Sequence, residues 1–430
     1  MRETFDWKWV EAQVAQTIEV WNGSAARSAQ GGLRYCAEEQ AKRERAYDEG
    51  LQAVEREAKK KPRTRAERLE AQERITASFA RFSAAALDLE DDAVELLTDD
   101  FLPVGTKLAR WARRFDESLS MPDIIQANRN AWTACGLQPL LGERVELTPS
   151  ILGYSLLYPY TDNFLDRTDV SAEEKRRFGE RFRRRLEGGN LAAEYSREAA
   201  LWALVELIEG QYPRARYPQV FECLLAIHRA QQGSVAQLDR DVDTADDELL
   251  RISCAKGGSS VLADACLARG RLNEAESRFG FEWGVLLQLG DDLQDVREDL
   301  QRGSVTLFSR AAAMGTPLDS LANQLLSFSE QVGARMDGLA HGSAMLKDLL
   351  RMSWRSLIVG AVADSHMYFS PAFLEEIERS SPFRFEFLRA RRKRLASREG
   401  LYAVLFDAFI EAPEDDDLDL ALPMPVLVEV

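Results

Sequence analysis

Two acidic segments carry the residue types and spacings best suited to chemistry. In SILGYSLLYPYTDNFLDRTDVS, Asp162 and Asp166 stand four apart, so on a helix they project from one face, a turn from each other, and can share divalent cations. In FGFEWGVLLQLGDDLQDVREDLQRGSVTLFS, Asp291, Asp295 and Asp299 repeat at i, i+4 and i+8, with Asp292 beside them. Like charges at this spacing destabilise a helix by roughly a few tenths of a kcal/mol per pair, and by more when partly buried. The row therefore calls for counter-charge. Mg2+ fits, because it takes oxygen ligands, keeps several waters and bridges carboxylates to phosphates. Three such ions would neutralise a diphosphate and stabilise it as a leaving group, favouring a carbocation in a dry pocket. The competing reading is a solvated acidic face balanced by Arg167, Arg297 and Arg302.

The elements that must position these acids are helices. Period-3.6 patterning dominates, and the best alternating stretch is PVLVEV at the end of the sequence. Thr148-Pro149, Thr316-Pro317 and Ser370-Pro371 each place a hydroxyl cap before a proline suited to the first helical position, and Ser171-x-x-Glu174 is a capping box. Each acidic segment follows an apolar approach, GYSLLYPY or EWGVLLQLG, so its acids lie where a helix leaves a core. Facing helices of this kind enclose an apolar floor under two carboxylate rims. Tyr154 and Tyr158 share the face of Asp162, deeper in that cavity, as core packing or as rings against a cation. Pro159 predicts a kink or break just before the acids.

Composition narrows the alternatives. A chain of 430 residues, 45% hydrophobic, buries a large core, and a formal charge of −16 opposes general attraction to nucleic acid or anionic membranes. No apolar run is long enough to span a bilayer, and the start lacks the apolar centre of a secretory signal, so a cytoplasmic protein is expected. Five scattered cysteines without a CxxC, and three histidines without an HExxH, leave no zinc or triad pattern. Carboxylates remain.

At these residues the sequence resembles the class I isoprenoid synthases: trans-prenyl diphosphate synthases, squalene and phytoene synthases, and ionisation-dependent terpene cyclases. Lys256-Gly257-Gly258, Phe279-Gly280 and Gln288-x-x-Asp291-Asp292-x-x-Asp295-x-x-x-Asp299 are similar to the lysine, FG and Q-x-x-DDxxD series of the prenyl diphosphate synthases. The first segment departs from DDxxD; its DxxxD is closer to squalene and phytoene synthases, and PYTDNFLDR to the DN-x-x-DR segment of bacterial large-terpene synthases. A GGKRxRP-type segment is missing, with Gly31-Gly32-Leu33-Arg34 a poor imitation.

The resemblance implies an all-α helical bundle around a central apolar cavity. It implies metal ligation by Asp162, Asp166, Asp291, Asp292, Asp295 and Asp299, with Asp162, Asp166, Asp291 and Asp295 catalytic. Lys256 would contact the diphosphate and Gln288 face the reacting end; Arg167 and Arg302 are added as substrate contacts by adjacency, with a structural salt bridge the alternative for each, and Tyr158 by its place on the face of Asp162. The implied activity is Mg-dependent ionisation of an allylic prenyl diphosphate, giving a cyclised or eliminated terpene. Chain elongation or head-to-head coupling is the alternative within enzymes, and a non-catalytic helical scaffold the alternative outside them. A homodimer is expected by analogy.

The rest of the chain reads more plainly. Residues 1–95, rich in charge, are expected as a solvated helical extension, 96–375 as the catalytic core, and 376–430 as a helix with an acidic tail. The basic runs RARRKR and KRRFGERFRRR are read as solvated helix faces, the second with an apolar seam of Phe178 and Phe182. LDRDVDTADDELL fails as a calcium loop, since Thr244 and Leu250 occupy the glycine and glutamate positions; Thr244 is expected to cap the next helix.

Overall fold

A computed structural model describes residues 4–25, 34–165, 167, 169–234, 244–398, 400, 401, 403 and 406; they are helical throughout, with no strand among them. Asp166, Gly31 to Leu33, residues 235–243 and the C-terminal PVLVEV lie outside the described residues.

The acid-bearing helices are α7 (Pro149–Leu165) and α12 (Glu274–Gln294), and the helix between them in space is α11 (Asp246–Arg269). Most of α11 from Leu249 to Ala268 is buried, as expected of a helix apolar on nearly all sides. It touches α6 (Met121–Leu140), α7, α10 (Pro218–Ser234) and α12, and so acts as the axis of the bundle. Its crossing with α12 is set by glycine. A Cβ on Gly284 would stand 2.0 Å from the Gly257 carbonyl oxygen, and one on Gly257 would stand 2.4 Å from that of Gly284. Only backbones without side chains at this crossing approach so closely, which brings Lys256 and Gln288, flanking the contact, onto the same level.

Around this axis lie α8 (Ala172–Leu186), α9 (Ser196–Gln211), α15 (Asp319–Asp337) and α16 (Ala344–Asp364). The Ser171–Glu174 capping box starts α8 as expected. Its arginines are paired rather than merely solvated: Arg181 Nε donates to Glu198 at 2.6 Å and Arg185 to Glu209 at 2.7 Å. Pro159 does not break α7, which runs unbroken to Leu165. Thr316-Pro317 starts no helix; α15 begins at Asp319. Ala245, not Thr244, precedes α11, with no side-chain cap.

Part of the segment expected as a solvated extension packs into the main core. Helix α1 (Trp7–Ser24) presents Val10, Val14, Ile18 and Trp21 at helical spacing, and these, with Phe5, belong to the main hydrophobic core. Gln324 Nε2 on α15 donates to the Trp21 carbonyl at 2.8 Å. The stripe was too short against the charged stretch that follows to stand out in composition.

That charged stretch forms the hairpin α2 (Ala37–Lys60) and α3 (Arg65–Leu87), and its partner is the basic C-terminal helix α18 (Phe385–Ser397). Arg384 meets Glu44, Arg391 meets Asp48, and Arg394 and Arg398 share Glu55, whose side chain is 5% exposed. The pairs advance along both helices in the same direction. Tyr47 packs edge-on against Phe82, Phe383 and Phe387 to give this unit a small core of its own. The RARRKR run is therefore not a solvated face: it and the acids of α2 neutralise each other.

Candidate functional site

The two acidic segments end at the same end of the bundle. Ser150 Oγ donates to the Leu267 carbonyl at 3.0 Å, and the Tyr158 hydroxyl lies 2.7 Å from Ser260 Oγ, so α7 and α11 run antiparallel. One further turn along each brings Asp162 level with Lys256. Two turns back along the same face of α11, Ser253 Oγ donates to Asp292 at 2.6 Å, and the Lys256 charge acts on both Asp291 and Asp292. Lys256 thus stands between the two acid-bearing helices.

The second segment is not one continuous helical row. Helix α12 ends at Gln294, Asp295 takes φ −92° and ψ 7°, and α13 (Val296–Arg302) follows. The hydrogen bonds from Asp295 N to Asp291 O and from Asp299 N to Asp295 O, each 2.8 Å, continue through the junction. The chain tightens there without losing its direction, and Asp291, Asp295 and Asp299 stay in succession along it.

The carboxyls of this segment are short of counter-charge. Burial pushes Asp291 up to about 6; Arg129, 3.6 Å away, pulls against it, while Asp292 and Asp295 add to the rise. Burial raises Asp292 too, opposed by its hydrogen bonds from Ser253 and from Gln288, the latter at 2.8 Å. Asp299 is pushed up to about 7, by burial first and then by Asp292 and Asp295. Asp295 is raised by burial and Glu298, against the charges of Arg392, Arg129 and Arg302.

Carboxylate oxygens of this kind suit a hard divalent cation, which would add positive charge to a half-buried acidic row. Among the described residues no group of three or more carboxylates, thiols or imidazoles is placed to hold a metal ion. Water and phosphate oxygens would complete any shell, as is usual for magnesium.

In the first segment, Asp162 accepts from Gln231 Nε2 at 3.0 Å and Asn163 donates to Asp123 at 2.7 Å. Arg167 is turned to Asp169, and Arg302 pairs with Glu298 at 2.5 Å, both at exposed positions. Neither arginine makes its ion pair with the acid row; adjacency in sequence led instead to local partners, which are cheap to form on one turn or loop. Gln288 is turned to Asp292.

Beside Asp162, an apolar cavity of about 20 Å³ lies between α7, α8 and α10, lined by Tyr158, Phe182, Leu186, Leu224, His228 and other groups. It has room for one small molecule of solvent, so the expected central space is narrow here. His228 donates from Nε2 to the Gly179 carbonyl at 2.9 Å and meets the Phe182 ring edge-on; burial depresses it to about 4. Below Tyr158, the fully buried Asp264 accepts from Asn130 Nδ2 at 3.1 Å, and burial raises its carboxyl well above the usual range.

Sequence reasoning missed Arg129, Ser253, Gln231 and Asp264. Asp264 had a signal, since Lys256, Ser260 and Asp264 repeat at i, i+4 and i+8. Arg129, in QANRNAW, had none.

No protein-family model and no curated protein matches the sequence. Among solved structures, the chain is similar to a polyprenyl synthase from Caulobacter crescentus CB15, crystallised with calcium and isoprenyl diphosphate. The match has a TM-score of 0.32 and 17% identity, over 75% of this chain and 98% of that one. At that level of similarity the site is read from its own residues. No helix among the described residues is long and apolar enough to cross a membrane.

Proposed function

We propose that this chain ionises an allylic prenyl diphosphate with magnesium and releases a cyclised or eliminated terpene, in the manner of the class I isoprenoid synthases it resembles. The observation that supports the reading is that the helices bearing both acidic segments pack on α11, Tyr158 against Ser260 and Asp292 against Ser253, with an apolar, aromatic-lined space beside Tyr158.

Asp162 and Asp166 on one side, and Asp291, Asp292, Asp295 and Asp299 on the other, would hold about three ions, a number taken from the charge a diphosphate carries. Bound magnesium would neutralise the diphosphate and make it a better leaving group. Lys256 adds a positive charge on the diphosphate side, where it already faces Asp291 and Asp292. Ser253 and Gln288 hold the Asp292 carboxylate in place from both oxygens. Gln231 does the same for Asp162. Tyr158 offers a ring face to positive charge developing on the tail, worth about 0.5–2 kcal/mol. The Phe182 and Leu186 side chains give the space beside it an apolar wall.

Chain elongation or head-to-head coupling is the second reading, favoured by aspartates throughout the second segment. Incubation with magnesium and geranyl, farnesyl, geranylgeranyl or longer diphosphates, with and without isopentenyl diphosphate, separates the two. Hydrocarbon or alcohol formed without the five-carbon co-substrate supports the first reading; longer diphosphates formed only with it support the second. No pyrophosphate release from any of them favours a scaffold.

A further inference from the structure

We infer that the small cavity beside Asp162 holds one water molecule between His228 and Gln231, and that His228 takes a proton from this water as it captures an allylic cation, so that the released product is an alcohol. The inference rests on the prenyl diphosphate reading and names the step that ends the reaction.

Three helices supply the walls. Tyr158 and Thr161 come from α7, the latter one residue before Asp162; Phe182 and Leu186 come from α8, and His228 and Gln231 from α10. The volume of about 20 Å³ gives room for a single water. The hydrogen bonds around it decide which atoms that water meets. A carbonyl oxygen only accepts, so the 2.9 Å contact of His228 Nε2 with Gly179 makes Nε2 the protonated nitrogen and leaves Nδ1 its lone pair. A carboxylate likewise only accepts, so Gln231 spends Nε2 on Asp162, at 3.0 Å, and Oε1 remains an acceptor. The Tyr158 hydroxyl is paired with Ser260 Oγ at 2.7 Å, and Thr161 Oγ1 donates to the Leu157 carbonyl at 2.9 Å. Two acceptors thus belong to the walls of a water-sized space, and one water satisfies both with its two O–H groups. The Phe182 ring, edge-on at 5.1 Å, fixes the imidazole plane, and burial keeps that ring neutral.

The step balances. The bond from the allylic carbon to the diphosphate oxygen breaks, both electrons leaving with the diphosphate. A lone pair of the water oxygen forms the new carbon–oxygen bond, and the proton shed by the resulting oxonium goes to His228 Nδ1 and from there to the diphosphate or solvent. A protonated alcohol is a strong acid, so even an imidazole weakened by burial takes its proton. Gln231 is a positioning residue: one amide joins the water to Asp162 and keeps it at the diphosphate end of the pocket.

The test incubates the full chain with MgCl2 and geranyl, farnesyl or geranylgeranyl diphosphate in water enriched in oxygen-18, and reads pyrophosphate, hydrocarbon and alcohol separately. The wild type should give alcohol that carries the label, because the label reaches carbon only when the carbon–oxygen bond breaks. His228→Gln, which keeps an N–H for the Gly179 carbonyl, should lower the alcohol share of the product by about tenfold or more. Leu186→Phe, which retains His228 and fills the cavity, should do the same. Pyrophosphate release precedes the water step and should fall far less than the alcohol share in both. Arg176→Ala, which removes an exposed pair with Glu173, should match the wild type. The chain has only three histidines, so nitrogen-15 spectra of histidine-labelled protein identify His228 by its loss in His228→Gln, and should show Nε2 protonated and Nδ1 unprotonated at neutral pH without any turnover. A merely structural His228 would alter the melting temperature and leave the alcohol share as in the wild type. An unchanged share in either variant, a protonated Nδ1, or a wild type that makes hydrocarbon alone overturns the water site and leaves the prenyl diphosphate reading standing. A wild type that releases no pyrophosphate from any of these substrates, or gives only unlabelled alcohol, overturns that reading and the water site with it.

Discussion

Replacing Gly284 by alanine tests the geometry on which the site depends. The added methyl would sit 2.0 Å from the Gly257 carbonyl oxygen and 3.0 Å from the Val261 side chain. Ordinary contact needs about 3.2 Å or more, so α11 and α12 must separate by about 1 Å along that line or rotate against each other. Overpacking of this kind costs about 1–3 kcal/mol, more when backbone must move, and the better helix propensity of alanine returns about 1 kcal/mol. A net loss of about 2 kcal/mol is expected. The separation also acts on the Ser253–Asp292 bond of 2.6 Å and on Lys256, next to the crossing, so pyrophosphate binding in magnesium should fall with it. Gly360→Ala is the control, because a Cβ there meets nothing within 4 Å. It should stabilise α16 by about 0.5–1 kcal/mol. Urea unfolding followed by circular dichroism measures both. A Gly284→Ala protein as stable as Gly360→Ala would refute the close crossing and the placement of the acids derived from it.

Asp162→Asn and Asp291→Asn should each abolish pyrophosphate release from prenyl diphosphates while leaving the helical signal intact, and chelation of divalent ions should do the same reversibly. Full activity in both variants removes these residues from the site. His228, held near 4 against about 6.5 in the unfolded chain, is neutral when folded. Its contribution is complete above pH 6.5 and is lost as pH falls to 4, so acid should erase up to about 3 kcal/mol of stability that His228→Gln does not lose. Denaturant midpoints of the two proteins across pH 4–7.5 check it, parallel curves being the contrary outcome. Glu55→Ala removes the shared partner of Arg394 and Arg398 and should cost about 1–3 kcal/mol, less in high salt, with residues 37–87 becoming more accessible to protease. Unchanged protection would show that the aromatic cluster around Tyr47 holds the hairpin without the charges.

Legibility of the site followed its chemistry. Asp162, Asp291, Asp292, Asp295 and Asp299, the acids proposed as metal ligands, were visible because acids that share a helix face show as a spacing in sequence. Arg129, beside Asp291, was not, since a residue that approaches from another helix leaves no spacing to read. Arg167 and Arg302, expected as substrate contacts from adjacency, pair with Asp169 and Glu298, as closeness along the chain favours.

Local physics determined that this protein is helical, where α8 and α17 (Pro371–Glu378) begin, and that its acids lie at the ends of apolar helices. These are properties of a few adjacent residues: side-chain period, caps and proline. Tertiary packing decided the rest. It drew α1 into the core, turned two charged segments into each other's partners, and let α11 and α12 approach at two glycines so that Lys256 faces Asp291 and Asp292. Such outcomes depend on which surfaces meet, and burial then sets the charge state of what they enclose, a quantity no window along the chain contains.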